Sequence, residues 1–138
     1  KYLLFHLDKR WETFPLKVRD NLKRKITSLS YDNKIVVTSN IGCNNFYNFI
    51  KKKLLNSSNI EFYDEPTLNS IISLVYFSET CISSHSGLIV HTAAAFNKKI
   101  IDIVHDEIFN ELDRWVPFDT NYKRYNVQNF LDESFKFA

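Results

Sequence analysis

The chain has 138 residues, enough for one domain of ordinary size and too few for two. Its residues are 44% apolar, with twelve Phe and seven Tyr, which supplies a packed core and excludes a disordered chain. A net charge of only +2, with Lys and Arg scattered, argues against a nucleic-acid partner, which requires a basic face.

The one dense basic run is Lys51-Lys52-Lys53. It could meet an anionic membrane surface. The plainer reading, preferred here, is the last turn of a helix, where Lys complements the helix dipole. Cys43 and Cys81 form no CxxC pair and read as reduced, structural thiols in a cytoplasmic protein. No apolar run reaches membrane-spanning length, and no signal peptide is visible. With no Met and a start at Lys1, the sequence is expected to be a fragment or a trimmed product.

Short apolar runs alternate with amphipathic stretches along the chain. Tyr2 to Leu7 reads as a strand, and Lys17 to Leu29 as a helix with Val18, Leu22, Ile26 and Leu29 at helical spacing. Lys34 to Thr38 is a β-branched strand. Ile41-Gly42 marks a turn, and Asn44 or Asn45 caps a helix running to about Leu55. Asn59 to Phe62 is a short strand, and Pro66-Thr67 opens a helix carrying Leu68, Ile71, Ile72 and Val75. A fourth strand spans Thr80 to Ser83, an Ala-rich helix Gly87 to Phe96, and a fifth strand Lys99 to Val104. The tail from Val127 to Phe137 reads as a closing helix. This alternation predicts an α/β domain over 1–138: a Rossmann-like parallel sheet of five or six strands, flanked by helices on both faces. Ligands of such sheets bind beyond the carboxyl ends of the strands, at the point where strand order reverses.

The stretch from Cys81 to Ala95, CISSHSGLIVHTAAA, carries the candidate chemistry. A strand ends near Ser83 and a helix begins at about Ser86. The first turn of a helix offers unpaired N–H groups and a partial positive charge, which suit a pyrophosphate. Gly87 lacks the Cβ that would block a phosphate, Ser84 and Ser86 can add hydroxyl hydrogen bonds, and His91 lies one turn beyond Gly87. Read from the residues alone, the same stretch is equally a capped helix with an ordinary Gly and a solvated or packed His. A GxGxxG fingerprint and a Walker motif are both absent.

The stretch resembles the C-terminal domain of glycosyltransferase family 9, the heptosyltransferase-like enzymes of the GT-B fold. The matching residues are His85-Ser86-Gly87, then His91-Thr92-Ala93-Ala94-Ala95, then Lys98-Lys99-Ile100-Ile101-Asp102-Ile103. The opening Phe5-His6-Leu7-Asp8-Lys9-Arg10-Trp11 and the late Arg114-Trp115-Val116-Pro117 are similar to further family elements, so the likeness runs from Tyr2 to about Pro117. The chain departs from the pattern with three residues between Gly87 and His91 where the family has two, and with His85 where an acidic residue is usual.

The resemblance implies the nucleotide-sugar-binding, C-terminal half of a two-domain glycosyltransferase. Its acceptor would be a glycan or a lipid-linked, lipopolysaccharide-type molecule, and the enzyme would act at the inner face of the membrane. Ser86, Gly87 and His91 would contact the donor diphosphate, with Ser84 and His85 beside them. Lys9 and Arg10 would supply positive charge to the same group; without the resemblance they read as a solvated loop pair. Trp11 is expected to be a core or interdomain anchor. The catalytic base would lie in an N-terminal domain, so none is assigned in this chain.

The sequence has no D-x-D element, and its four His and two Cys show no zinc spacing, so no metal and no cofactor are expected. Ser86 lacks the flanking Gly residues of a hydrolase elbow. The remaining alternative is a degenerate or non-catalytic nucleotide-binding α/β domain.

Overall fold

The structure, a computed structural model, describes residues 1–110, 117 and 121–135. The Arg114-Trp115-Val116 element lies outside those residues. The strands are β1 (Leu3–Leu7), β2 (Ile35–Ser39), β3 (Ile60–Tyr63), β4 (Thr80–Ser83), β5 (Lys99–Val104) and β6 (Tyr122–Asn126). They form one sheet in the order β3-β2-β1-β4-β5-β6, every pair parallel. Strand order reverses between β1 and β4, where ligands bind in doubly wound sheets.

The helices are α1 (Lys17–Ser30), α2 (Asn45–Leu54), α3 (Leu68–Phe77), α4 (Gly87–Ala95) and α5 (Val127–Asp132). Val18, Leu22 and Ile26 of α1, Phe46 and Ile50 of α2, and Phe130 of α5 pack on Leu3, Phe5, Leu7, Val37, Ile82 and Ile103. On the opposite face, Ile71 and Val75 of α3 and Ile89, Val90 and Ala93 of α4 pack on Leu4, Val36, Cys81 and Ile100. The sheet is thus covered on both faces, which is why its central strands read as nearly unbroken apolar runs.

The caps follow the expected chemistry. Asn44, rather than Asn45, accepts from the Tyr47 N–H at 3.0 Å, and Thr67 from the Ser70 N–H at 3.2 Å. Each such cap contributes about 1 kcal/mol. Gly42 holds φ +85°, as the exposed turn before α2 requires. The lysine run forms the last turn of α2, and Lys51 bridges to Asp64 at 2.7 Å.

Three features differ from the sequence expectation. The sixth strand, β6, reads YKRYN and has no apolar run, because it is an edge strand with only Tyr125 buried. The closing helix ends at Asp132 rather than Phe137. There the chain turns extended at Glu133, and Phe135 folds back against Phe130 and Tyr125. The first loop is also ordered, as a 3-10 helix over Lys9–Thr13 capped by Asp8, whose side chain accepts from the Arg10 N–H at 3.0 Å.

Candidate functional site

At the carboxyl edge of the sheet, the face beneath α3 and α4 changes character. The side chains one layer in are Val36, Leu4, Cys81 and Ile100, part of the apolar core. Two residues further along each strand, register aligns Tyr63, Thr38, His6, Ser83, Asp102 and Arg124 across all six strands. Side chains alternate faces along a strand, so this polar row lies on the same side as α3 and α4. Its four central members are buried.

Buried polar groups require partners. His6 Nδ1 lies 2.9 Å from Thr38 Oγ1, and burial holds the His6 imidazole neutral, its pKa pushed down to about 4. Ser83 Oγ has no hydrogen-bond partner among the described residues although Ser83 is only 1% exposed. It is an orphaned polar atom in the buried polar row.

The loop from Ser83 into α4 is built around His85. Its φ of +53° is a left-handed conformation that residues with a side chain rarely adopt. Asp102, fully buried, accepts from the His85 N–H at 2.6 Å through Oδ1 and pairs with His85 Nδ1 at 2.9 Å through Oδ2. Tyr122 also donates its hydroxyl to Asp102, and Arg124 Nε donates to Tyr122 at 3.2 Å. Burial, reinforced by the Asp102 carboxylate, raises the Tyr122 pKa and keeps it a donor. On the other side of the loop, the Arg10 guanidinium donates to the His85 carbonyl oxygen.

Ser86 caps α4, accepting from the Ile89 N–H at 3.4 Å, and its carbonyl accepts from Val90 at 2.9 Å. The N–H groups of Gly87 and Leu88 precede Val90, the first intrahelical donor. Gly87 is helical without a positive φ, so its backbone admits a side chain. Ser84 is buried, whereas His91 is exposed and not packed against the sheet. Four positions after Gly87, the His91 side chain is rotated about 40° from it around the helix.

The structure therefore brings Ser84, His85, Ser86, Gly87 and Arg10 together at one point. Lys9 is exposed on the 3-10 helix. Trp11 is fully buried: its indole donates to the His6 carbonyl at 3.0 Å and packs near Phe14 and Phe46. It is a core anchor for the loop that carries Arg10. The same loop is tied down elsewhere, with Glu12 accepting from the Asn45 N–H at 2.7 Å and Thr13 meeting His105 Nε2 at 2.6 Å. Burial pushes the Asp8 carboxyl above its usual range, partly offset by Arg10.

A pocket of about 420 Å³ opens over the ends of β1 and β2, between the starts of α3 and α4. His6, Ser39 and Asn40 give it a polar floor, and Ile41, Pro66, Leu68, Ile71 and Leu88 its apolar walls. Its size falls within the range of small-molecule sites. A further groove of about 560 Å³ lies between α1 and the tail, away from this edge. Among the described residues no three His, Cys, Asp or Glu cluster as a metal site would require, and no helix is long and apolar enough to cross a membrane. Cys43 and Cys81 are free thiols, and burial pushes Cys81 up to about 11.

No family model and no curated protein matches the chain. Solved structures do. E. coli heptosyltransferase WaaC with ADP superposes at a TM-score of 0.59 and 17% identity, over 91% of this chain and 37% of the enzyme. Methanocaldococcus jannaschii UDP-GlcNAc 2-epimerase, in complex with UDP-GlcNAc and UDP, matches at 0.65 and 16% identity over 94% of this chain and 36% of that one. S. aureus MnaA with UDP matches at 0.59 and 21% identity over 74% and 27%. The chain has the Rossmann-like fold of these GT-B neighbours. It spans little more than a third of their length at most.

Proposed function

We propose that the chain binds the nucleoside diphosphate part of a nucleotide-sugar donor, as the C-terminal, donor-binding half of a two-domain glycosyltransferase. The observation that carries this reading is the convergence of the α4 start, Arg10 and the polar row on one end of the sheet, beside a pocket with apolar walls. The diphosphate meets the Gly87 and Leu88 N–H groups and the exposed Arg10 guanidinium, which also donates to the His85 carbonyl. The nucleoside takes the adjoining pocket. Each charge-assisted hydrogen bond to the diphosphate contributes about 1.5–3 kcal/mol.

The fold alone does not choose the reaction, since the solved structures include both a transferase and an epimerase. Transfer is favoured by the likeness of His85-Ser86-Gly87 and His91 to Ala95 to the heptosyltransferase pattern. An N-terminal domain then supplies the base and a glycan or lipid-linked acceptor at the cytoplasmic face of the membrane. Donor binding proceeds without a divalent ion, and the 138-residue chain by itself transfers no sugar.

Calorimetric titration with ADP and UDP, with and without a chelator, tests the reading. The parent chain binds at least one nucleotide in both conditions. Gly87→Val, which places a side chain in the path of the phosphate, weakens that binding more than tenfold, on the order of one lost charged hydrogen bond. His91→Ala weakens it less. A Gly87→Val chain that is folded and binds like the parent would contradict the site.

A further inference from the structure

Asp102 is the one buried carboxylate among the described residues. A buried carboxylate is strongly unfavourable unless hydrogen bonds satisfy both oxygens. Here both oxygens go to the same residue: Oδ1 to the His85 N–H and Oδ2 to the His85 imidazole, with Tyr122 adding a third donor. His85 is also the residue held at φ +53°. Arg10 then takes the carbonyl oxygen of that residue. An anion and a cation thus grip the two backbone polar groups of His85, immediately before the Ser86 cap.

A left-handed turn does not in itself require such a device, since glycine adopts positive φ unaided and asparagine tolerates it. This chain instead spends a buried carboxylate there. We propose that Asp102 is a positioning residue: acting through His85, it fixes the direction in which the Ser86, Gly87 and Leu88 N–H groups point into the cleft. Asp102 also sets the imidazole. The Asp102 Oδ2 that faces Nδ1 accepts, so Nδ1 is the ring nitrogen that carries a proton there. This inference rests on the reading of the α4 start as a nucleotide site.

The test uses the full chain with the nucleotide it binds, ADP or UDP, and the variants Asp102→Asn, His85→Gly and their combination. Asp102→Asn weakens binding about tenfold, comparable to one misdirected hydrogen bond to a charged group. It also reverses the imidazole tautomer seen by nitrogen NMR, because the amide now offers a donor. In the His85→Gly background, where glycine holds the turn unaided, adding Asp102→Asn changes affinity by less than about twofold. A buried ion serving stability alone would lower the melting temperature and leave affinity and coupling untouched, which overturns the proposal. So does an equal Asp102→Asn effect in both backgrounds. If Asp102→Asn does not fold, His85→Gly and His85→Ala decide: glycine must bind nucleotide more tightly than alanine, and the reverse order overturns the proposal. A parent chain that binds neither nucleotide removes the site reading itself, whereas a binding parent with an unaffected Asp102→Asn removes only the role of Asp102.

Discussion

The two faces of the sheet end differently at its carboxyl edge. Beneath α1, α2 and α5 apolar side chains reach the end of β1 and β5, with Leu7 and Ile103 both buried in the core, and only β2 ends on a buried polar residue, Ser39. Beneath α3 and α4 the apolar layers stop at Leu4, Val36, Cys81 and Ile100, and the next row is Thr38, His6, Ser83 and Asp102. One face is closed mostly by packing, its buried Ser39 hydroxyl accepting from the Glu65 N–H at 2.8 Å. The other gives up apolar burial for polar groups, one of them the orphaned Ser83 hydroxyl. The contrast locates the site: polar side chains replace packing on the face where α4 begins and where the 420 Å³ pocket opens.

That comparison can be broken at several points. On the closed face, Phe5→Ala removes a fully buried ring that packs edge-on to Phe130 at 6.4 Å. The expected loss is about 3–5 kcal/mol in chemical denaturation, with nucleotide affinity of the folded fraction unchanged. A loss of affinity without a loss of stability would place function on the wrong face.

On the open face, His6 titrates at about 4, below its ordinary 6.5. The unfolded chain takes up a proton between these values and the folded chain does not. The His6 contribution is therefore fully present above about pH 6.5 and is lost as pH falls toward 4, by up to about 3 kcal/mol. His6→Leu should flatten that part of the stability profile. An identical slope in parent and variant would show that His6 is not held neutral by burial.

A smaller effect is expected at Tyr122→Phe, which removes one of three donors to Asp102 but leaves both His85 contacts. Stability should fall by about 1 kcal/mol, read from denaturation midpoints, with the imidazole tautomer of His85 unchanged.

Much of this was legible in the sequence. The five apolar strands, the Asn44 and Thr67 caps and the small-residue stretch before α4 all lie where local patterning puts them. What escaped was tertiary in origin. β6 is hidden because Lys123 and Arg124 interrupt it, and as an edge strand it does not need an apolar run. The polar row is written as one residue near the end of each strand: His in LLFHL, Thr in IVVTS, Asp in KIIDIV. Only register shows that these residues are neighbours on one face. A lone Asp in the otherwise apolar β5 was the available signal, since a charge inside a doubly covered sheet requires a partner. Its partner, His85, stands in sequence beside the candidate site and as a departure from the family's usual acidic residue, with nothing to pair it with Asp102.

The most direct measurement of the central claim is a proton–nitrogen NMR titration of the chain with ADP and UDP. The account predicts that the largest amide shifts fall on Ser86, Gly87 and Leu88, with smaller ones at His6, Asn40 and Arg10 around the carboxyl edge. Shifts confined to the groove between α1 and the tail, at Lys25, Ser28 and Glu133, would contradict it.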